Sequence, residues 1–325
     1  MILVTGAAGF IGYHLCEALL ARGDRVFGID NVNAYYDPRL KEARLERLKQ
    51  RPNFEFRRMD ISDRGAMAEL AASNQNVTRI AHLAAQAGVR HSLSHPRDYV
   101  QANLVGFVEM LEFARHLPAL AHFVYASSSS VYGANTKLPF AVEDPADRPL
   151  ALYGATKKAN EAMAYSYSHL FGIPSTGLRF FTVYGPWGRP DMSAFIFTRA
   201  ILAGEEIAVN NKGEMKRDFT YIDDIVAGVV AALYRPPAAA AGAAPHRLYN
   251  LGNHKSEPLM RFIETIEKAC GKKARIRFAD LPPGDVKETY ADIAASARDL
   301  GFDPRVSIDE GIPRLVAWYR DYHKA

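Results

Sequence analysis

Two side chains four residues apart carry the first chemical signal in this sequence. Tyr153 and Lys157 stand in the run Tyr153-Gly154-Ala155-Thr156-Lys157. At helical spacing they project from one face. A phenol beside an ammonium is a poised acid/base, because the cation favours phenolate and draws the phenol down from its usual value of about 10. Such a pair can take a proton from an alcohol as hydride leaves the same carbon. The pattern alone is common. In a chain with 16 tyrosines, on the order of one Tyr-x-x-x-Lys match arises by chance. Its meaning rests on the elements that position it.

Apolar strand-like runs alternate with helical patterns along the chain. The expected strands are Ile2–Thr5, Arg25–Ile29, Phe54–Arg57, Arg79–His82, Phe123–Ala126 and Ser175–Phe180. Between the first two, Ile11, Leu15 and Leu19 recur at helical spacing. Arg39–Gln50 reads as a charged helix, and Tyr99–His116 and Leu152–Phe171 as longer ones. This alternation predicts an α/β fold: a Rossmann-type doubly wound parallel sheet with crossover helices. After Phe181 the texture changes to a loop rich in Pro, Gly and Trp. A low-complexity connector runs from Pro236 to Pro245. Strands near Leu248–Leu251 and Arg275–Phe278 suggest a smaller mixed α/β C-terminal lobe. The expected division is a cofactor domain over 1–180, rejoined by segments of about 219–250, and a substrate lobe over 181–325. The apolar faces of Tyr99–His116 and Leu152–Phe171 are expected to meet a second copy in a homodimer.

Bulk properties narrow the class. The 325 residues, 48% hydrophobic and 23% charged, are ordinary for a globular chain with a large core. The net charge of +4 is not concentrated in any Lys/Arg block, so it is no nucleic-acid footprint. It suits a small anionic substrate. Cys16 and Cys270 cannot make a disulfide framework or a metal site alone. Cys16 reads as a buried thiol. Met1 leads straight into a strand, and no apolar run approaches membrane-spanning length. The expectation is a protein of the reducing cytoplasm, with no membrane partner.

Gly6-Ala7-Ala8-Gly9-Phe10-Ile11-Gly12 follows the first strand and opens a helix, the context a pyrophosphate loop needs. Gly6 permits a tight turn. Gly9 lets the backbone approach a pyrophosphate, which the helix N-terminus favours. Gly12 allows close helix–strand packing. Asp30, with Asn31 beside it, ends the next strand, where a carboxylate accepts ribose hydroxyls and repels a 2′-phosphate. NAD is therefore the expected cofactor. Asp60 and Ile61 end the third strand. Leu83, Ala84 and Ala85 end the fourth, where small residues let a cofactor lie flat. Phe180 ends the sixth. The run Ser127-Ser128-Ser129-Ser130-Val131-Tyr132-Gly133 follows the fifth strand and brings hydroxyls to the crevice where open α/β sheets bind ligands.

Together these residues resemble the extended short-chain dehydrogenase/reductase family, in its nucleotide-sugar branch, over essentially the whole chain. The resemblance places Ser128 as the catalytic hydroxyl, Tyr153 as acid/base and Lys157 as the residue that holds the nicotinamide ribose and tunes Tyr153. Similar dehydratases carry Asp and Glu after the catalytic hydroxyl, and similar decarboxylases a Glu at the place of Ser130. Ser129 and Ser130 supply no carboxylate, which leaves oxidation and reduction at one carbon. Phe180-Phe181-Thr182-Val183-Tyr184-Gly185-Pro186-Trp187-Gly188-Arg189-Pro190-Asp191-Met192 resembles the UDP-glucuronate 4-epimerases, as do Asn33-Ala34-Tyr35-Tyr36-Asp37 and His82 through Arg90.

The resemblance implies 4-epimerisation of UDP-glucuronate to UDP-galacturonate with recycled NAD. Gln86 and Arg90 then line the sugar pocket. Arg217 grips the diphosphate, and Asp285 meets the uridine ribose. Some relatives carry an Arg where this chain has Pro282. The transient 4-keto uronate is a β-keto acid, prone to lose CO2. Ser129, Ser130, Thr182 and Arg189 are expected to grip its carboxylate, Arg189 through a bidentate fork. Three other readings stay open: a 4-epimerase of a neutral UDP-hexose or UDP-N-acetylhexosamine, a non-catalytic NAD-sensing protein, and a nucleotide-sugar reductase consuming NADPH, against which Asp30 argues.

Overall fold

The computed structural model describes residues 1–238 and 242–325, so part of the low-complexity connector lies outside the described residues. Among the described residues there are twelve strands: β1 (Ile2–Thr5), β2 (Val26–Asp30), β3 (Phe54–Arg58), β4 (Arg79–His82), β5 (His122–Ser128), β6 (Ser175–Phe180), β7 (Thr182–Tyr184), β8 (Glu206–Val209), β9 (Lys216–Tyr221), β10 (His246–Leu251), β11 (Ser256–Pro258) and β12 (Arg275–Phe278). Seven of them form one parallel sheet in the order β10-β6-β5-β4-β1-β2-β3. The order reverses between β1 and β4, so their C-terminal ends flank the crevice of a doubly wound sheet.

Residues along these strands alternate between two cores, as a pleated sheet covered on both faces requires. Ile2, Val4 and Val124 pack in one core with Leu15 and Leu19 of helix Phe10–Ala21 and Ile225 and Val229 of helix Ile222–Leu233. Leu3, Phe123 and Tyr125 pack in the other with Met67, Phe107 and Met110 from the opposite helices. Each fully buried Leu, Ile or Phe contributes roughly 1.5–3 kcal/mol to that packing. Cys16 is buried in the first core, and both cysteines are free thiols.

Beyond β6 the chain builds two small sheets. β7 and β9 run parallel, with β11 antiparallel to β9. β8 and β12 form a parallel pair. The strand expected near Leu248–Leu251 is β10, and it belongs to the main sheet, hydrogen-bonded beside β6. The expected helix Tyr99–His116 is interrupted. Helix Pro96–Val100 passes into a wider turn over Gln101–Val105, where Gly106 N donates to Gln101 O, and continues as Gly106–Arg115. Helix Leu152–Phe171 has its expected bounds and stops at Gly172, whose φ of 67° ends it in the left-handed region. Among the described residues, no helix is long and apolar enough to cross a membrane.

The tightest spot in the frame is the turn from β1 into the first helix. A Cβ on Gly12 would overlap the carbonyl oxygen of Gly6, and one on Gly6 would stand 2.8 Å from Ala84 N. Gly12→Ala is expected to lower the unfolding free energy by about 1–3 kcal/mol. A urea midpoint equal to the parent's would show that the turn has room.

Candidate active site

One cavity of about 370 Å³ opens at the C-terminal ends of β1, β2, β4, β5 and β6. All the residues expected at the cofactor line it: Gly6, Gly9, Phe10, Ile11 and Gly12; Asp30 and Asn31; Asp60 and Ile61; Leu83, Ala84 and Ala85; Tyr153, Lys157 and Phe180. Gln86, Ser128, Ser129, Ser130, Thr182 and Arg189 line it as well. Arg90, Arg217 and Asp285 do not. They form their own cluster, in which Arg217 Nη2 donates to Asp285 Oδ1 at 2.6 Å and Arg90 Nη2 stands 3.5 Å from Asp285 Oδ2. A Cβ on the neighbouring Gly284 would lie 3.7 Å from Val89, a cavity residue, so the cluster adjoins one end of the cavity.

The glycine loop fits a dinucleotide. Gly9 caps helix Phe10–Ala21 without any side-chain acceptor, and the first turn carries no acid. The free N–H groups and the helix dipole are thus left for an anion. Asp30 is buried and already tied: Oδ2 accepts from Ala8 N at 3.1 Å and Oδ1 from Val32 N at 2.7 Å. Burial raises its carboxyl, against the pull of those two N–H groups and of Lys41 and Arg44. Asn31 Nδ2 donates to Asp60 Oδ2 at 2.8 Å, joining the ends of β2 and β3. Thr5 Oγ1 accepts from the backbone of Leu83 and Ala84 at 3.1 and 3.0 Å, which holds the end of β4 against β1.

At the other end of the cavity, Ser128 Oγ bonds Ser130 Oγ and accepts from Ser130 N, both at 3.2 Å. Lys157 Nζ donates to Ala126 O at 2.9 Å, and burial draws its pKa down to about 8. The Tyr153 hydroxyl is raised, not lowered as the pairing with Lys157 predicts. Burial outweighs the charge of Arg189 and the hydrogen bond from Ser128, which pull it down. The tuning of Tyr153 within this chain therefore comes from Ser128 and Arg189. Arg189 is itself paired: Nε donates to Asp191 Oδ1 at 3.0 Å and Nη2 to Asp191 Oδ2 at 2.5 Å.

Below the site lies a buried polar pair. Arg179 binds Glu161 through Nε and Nη2 at 2.8 and 2.9 Å, and Ser127 Oγ donates to the same carboxylate at 2.7 Å. Glu161 sits one helical turn beyond Lys157, so the face turned to the sheet carries both.

Several contributors escaped the sequence reading. Asn103, in the widened turn, accepts from Gln86 N and donates to Gln86 O and Thr156 Oγ1. It thereby fastens the segment after β4 to the helix of Tyr153. Such widened turns are frequent at functional sites, but no sequence signal announces one. Arg44 is fully buried in the helix read only as charged. Its Nη1 donates to Ala8 O at 2.8 Å, and its Nη2 to Trp187 O at 2.5 Å and Gly188 O at 3.4 Å. Trp187 has φ of 60° and packs against Tyr13, Trp318 and Tyr322.

Residues 2–252 match the NAD dependent epimerase/dehydratase family. A UDP-glucuronate 4-epimerase of Arabidopsis thaliana is 45% identical over 99% of this chain and 76% of its own length. A UDP-glucuronic acid 4-epimerase of Bacillus cereus, solved with UDP-glucuronic acid and NAD, is 35% identical with a TM-score of 0.90, covering 99% of both chains. A UDP-glucose 4-epimerase of Thermotoga maritima, solved with UDP-glucose, is 28% identical with a TM-score of 0.87, covering 99% of both.

The depressed Lys157 value sets a stability profile. Between about pH 8 and the ordinary lysine value, the unfolded chain holds a proton that the folded one has lost. Stability therefore rises with pH in that window, and the cost of burying the charge is largest below it. Urea unfolding of Lys157→Met and the parent should show the variant's relative advantage greatest near pH 7 and shrinking above pH 8. A difference independent of pH would refute the shift.

Proposed function

The chain belongs to the NAD dependent epimerase/dehydratase family, and we propose that it interconverts UDP-glucuronate and UDP-galacturonate at C4 without releasing CO2. The observation that carries this reading is the single cavity in which the glycine loop, Ser128, Tyr153, Lys157 and Arg189 face one another. The 45% identity to the Arabidopsis enzyme supports the uronate.

In this reading, residues 1–180 with about 219–250 hold the cofactor, and the rest of the chain mainly holds the nucleotide sugar. NAD, once bound, supplies the acceptor and donor of the C4 hydride and a positive charge near Tyr153. Tyr153 takes the proton of the 4-hydroxyl as phenolate and returns it at the end. Ser128 shares that hydroxyl's hydrogen bond and draws Tyr153 down. Lys157 orients the ribose, with its ammonium anchored on Ala126 O. Asp30 receives the adenosine ribose through the lone pairs its two backbone donors leave free. The sugar then turns about its link to the diphosphate and presents its other face. Ser129, Ser130, Thr182 and Arg189 hold the carboxylate out of line with the ketone's π system, which blocks decarboxylation. Gln86 borders the sugar, and Arg90, Arg217 and Asp285 receive the nucleotide at the Val89 end. Pro282 offers no charge there, so the clamp on the diphosphate rests on the two arginines.

A homodimer is part of this reading. Val100 and Val105, on the segment Pro96–Arg115, and Tyr165, Leu170 and Phe171 on the helix beside it are large apolar side chains left exposed. Burying them against a second copy would remove an unusual apolar surface from water. Conversion of a neutral UDP-hexose is the second reading, favoured by the fold shared with the Thermotoga enzyme.

Purified protein given UDP-glucuronate and no added cofactor is expected to form UDP-galacturonate with no CO2. Preferential turnover of UDP-glucose in direct competition would overturn the uronate reading. Tyr153→Phe is expected to slow turnover by roughly 10²–10⁴-fold while the bound NAD content stays at the parent's level. Retained turnover would remove Tyr153 from the acid/base role.

A further inference from the structure

The site places a second acid and a second phenol behind Arg189, and neither belongs to the machinery described so far. Asp191 binds the guanidinium along one edge, through Nε at 3.0 Å and Nη2 at 2.5 Å. The same carboxylate oxygen, Oδ2, accepts from the Tyr35 hydroxyl at 2.9 Å. The Tyr35 ring lies 5.9 Å from the Arg189 guanidinium carbon. Burial, with the Asp191 charge, pushes the Tyr35 hydroxyl up to about 12, so it remains a donor at any working pH. Tyr35 arrives from the loop after β2, and Asp191 from the loop after β7. A third segment makes room: Gly88 has φ of 104°, and a Cβ there would stand 2.5 Å from the Tyr35 oxygen.

A guanidinium has two edges that can each hold a carboxylate. Asp191 takes the Nε edge. The end formed by Nη1 and the second proton of Nη2 has no hydrogen-bond partner among the described residues, and Arg189 lines the cavity beside Tyr153. We infer that Asp191 and Tyr35 are positioning residues that fix Arg189 by one edge and leave its other edge open for the substrate carboxylate. This rests on the uronate reading above.

The arrangement serves geometry over affinity. A negative charge behind the guanidinium weakens its attraction for a second carboxylate. In exchange, a long and otherwise mobile side chain is fixed before substrate arrives. Geometry is what a β-keto acid requires, because loss of CO2 depends on how the carboxylate is turned relative to the ketone.

The two effects separate experimentally. Asp191→Asn removes the charge and frees Arg189. KM for UDP-glucuronate should stay level or fall, while the ratio of CO2 released to UDP-galacturonate formed rises from the parent's baseline near zero to a readily measured value. Tyr35→Phe keeps the charge and removes the lateral hydrogen bond. The same ratio should rise without a fall in KM. Bound NAD and thermal midpoint, measured on both variants, report general damage. A ratio equal to the parent's in both variants, or one that rises only with loss of bound NAD, overturns the positioning role. A parent protein that does not epimerise UDP-glucuronate overturns the uronate reading itself, and this inference with it.

Discussion

Everything in this site hangs on how closely the first helix approaches the first strand. There is no room for a methyl group between Gly12 and the carbonyl of Gly6, nor between Gly6 and the end of β4. That closeness brings a helix N-terminus, with its unpaired N–H groups, over the reversal point of the sheet. The crevice exists because β1 sends its connection to one side and β4 sends its own to the other. Asp30, Thr5 and the Asn31–Asp60 bond then lock the strand ends around it. Asp30 holds the glycine loop by Ala8 N, and Thr5 holds the segment after β4 by two N–H groups. Hydrogen bonds between loops thus tie the rim together.

Charge is handled by the same economy of contacts. Arg179 and Glu161 are both almost fully buried, and each is met by a forked partner with Ser127 alongside. A pair of this kind is tolerable only when its hydrogen bonds are filled. Lys157 lies one turn away with only a carbonyl to hold, and it surrenders part of its basicity as a result. Tyr153 takes its modulation from the opposite wall, where Arg189 stands. Tyr153, the proposed acid/base, therefore senses the loop proposed to hold the substrate's far end.

What the sequence made legible were local patterns: the glycine loop between a strand and a helix, the acid at the end of β2, and the full length of helix Leu152–Phe171. These follow from periodicity and turn chemistry, which act over a few residues. Misreadings came where distant segments decide. Tyr99–His116 carries a helical pattern, yet Asn103 bonds Gln86 and Thr156 and the turn there is widened. Leu248–Leu251 reads as a strand, but only the sheet shows that β6 is its neighbour. Arg44 looks like one more charge on a polar helix, because most of its acceptors are backbone carbonyls 36, 143 and 144 residues away, with the nearby Tyr36 hydroxyl beside them. The Tyr153–Lys157 spacing identified the pair, although it gave no sign that the lysine turns to Ala126 O.

Arg44 deserves a final consequence of its own. A buried cation that bonds main-chain carbonyls is sensitive to backbone position, and Arg44 holds three of them together with the Tyr36 hydroxyl. The side chains matter too: Trp187 packs against Tyr13, Trp318 and Tyr322, and a Cβ on Gly188 would stand 2.9 Å from the carbonyl oxygen of Gly185. One inserted or deleted residue would carry the carbonyls of Trp187 and Gly188 away and leave Nη2 of a buried charge without its partners. The segment is therefore held in length by Arg44 and in composition by the aromatic cluster around Trp187 and the close turn at Gly188. It works as a gauge block between two walls, one whose thickness cannot change.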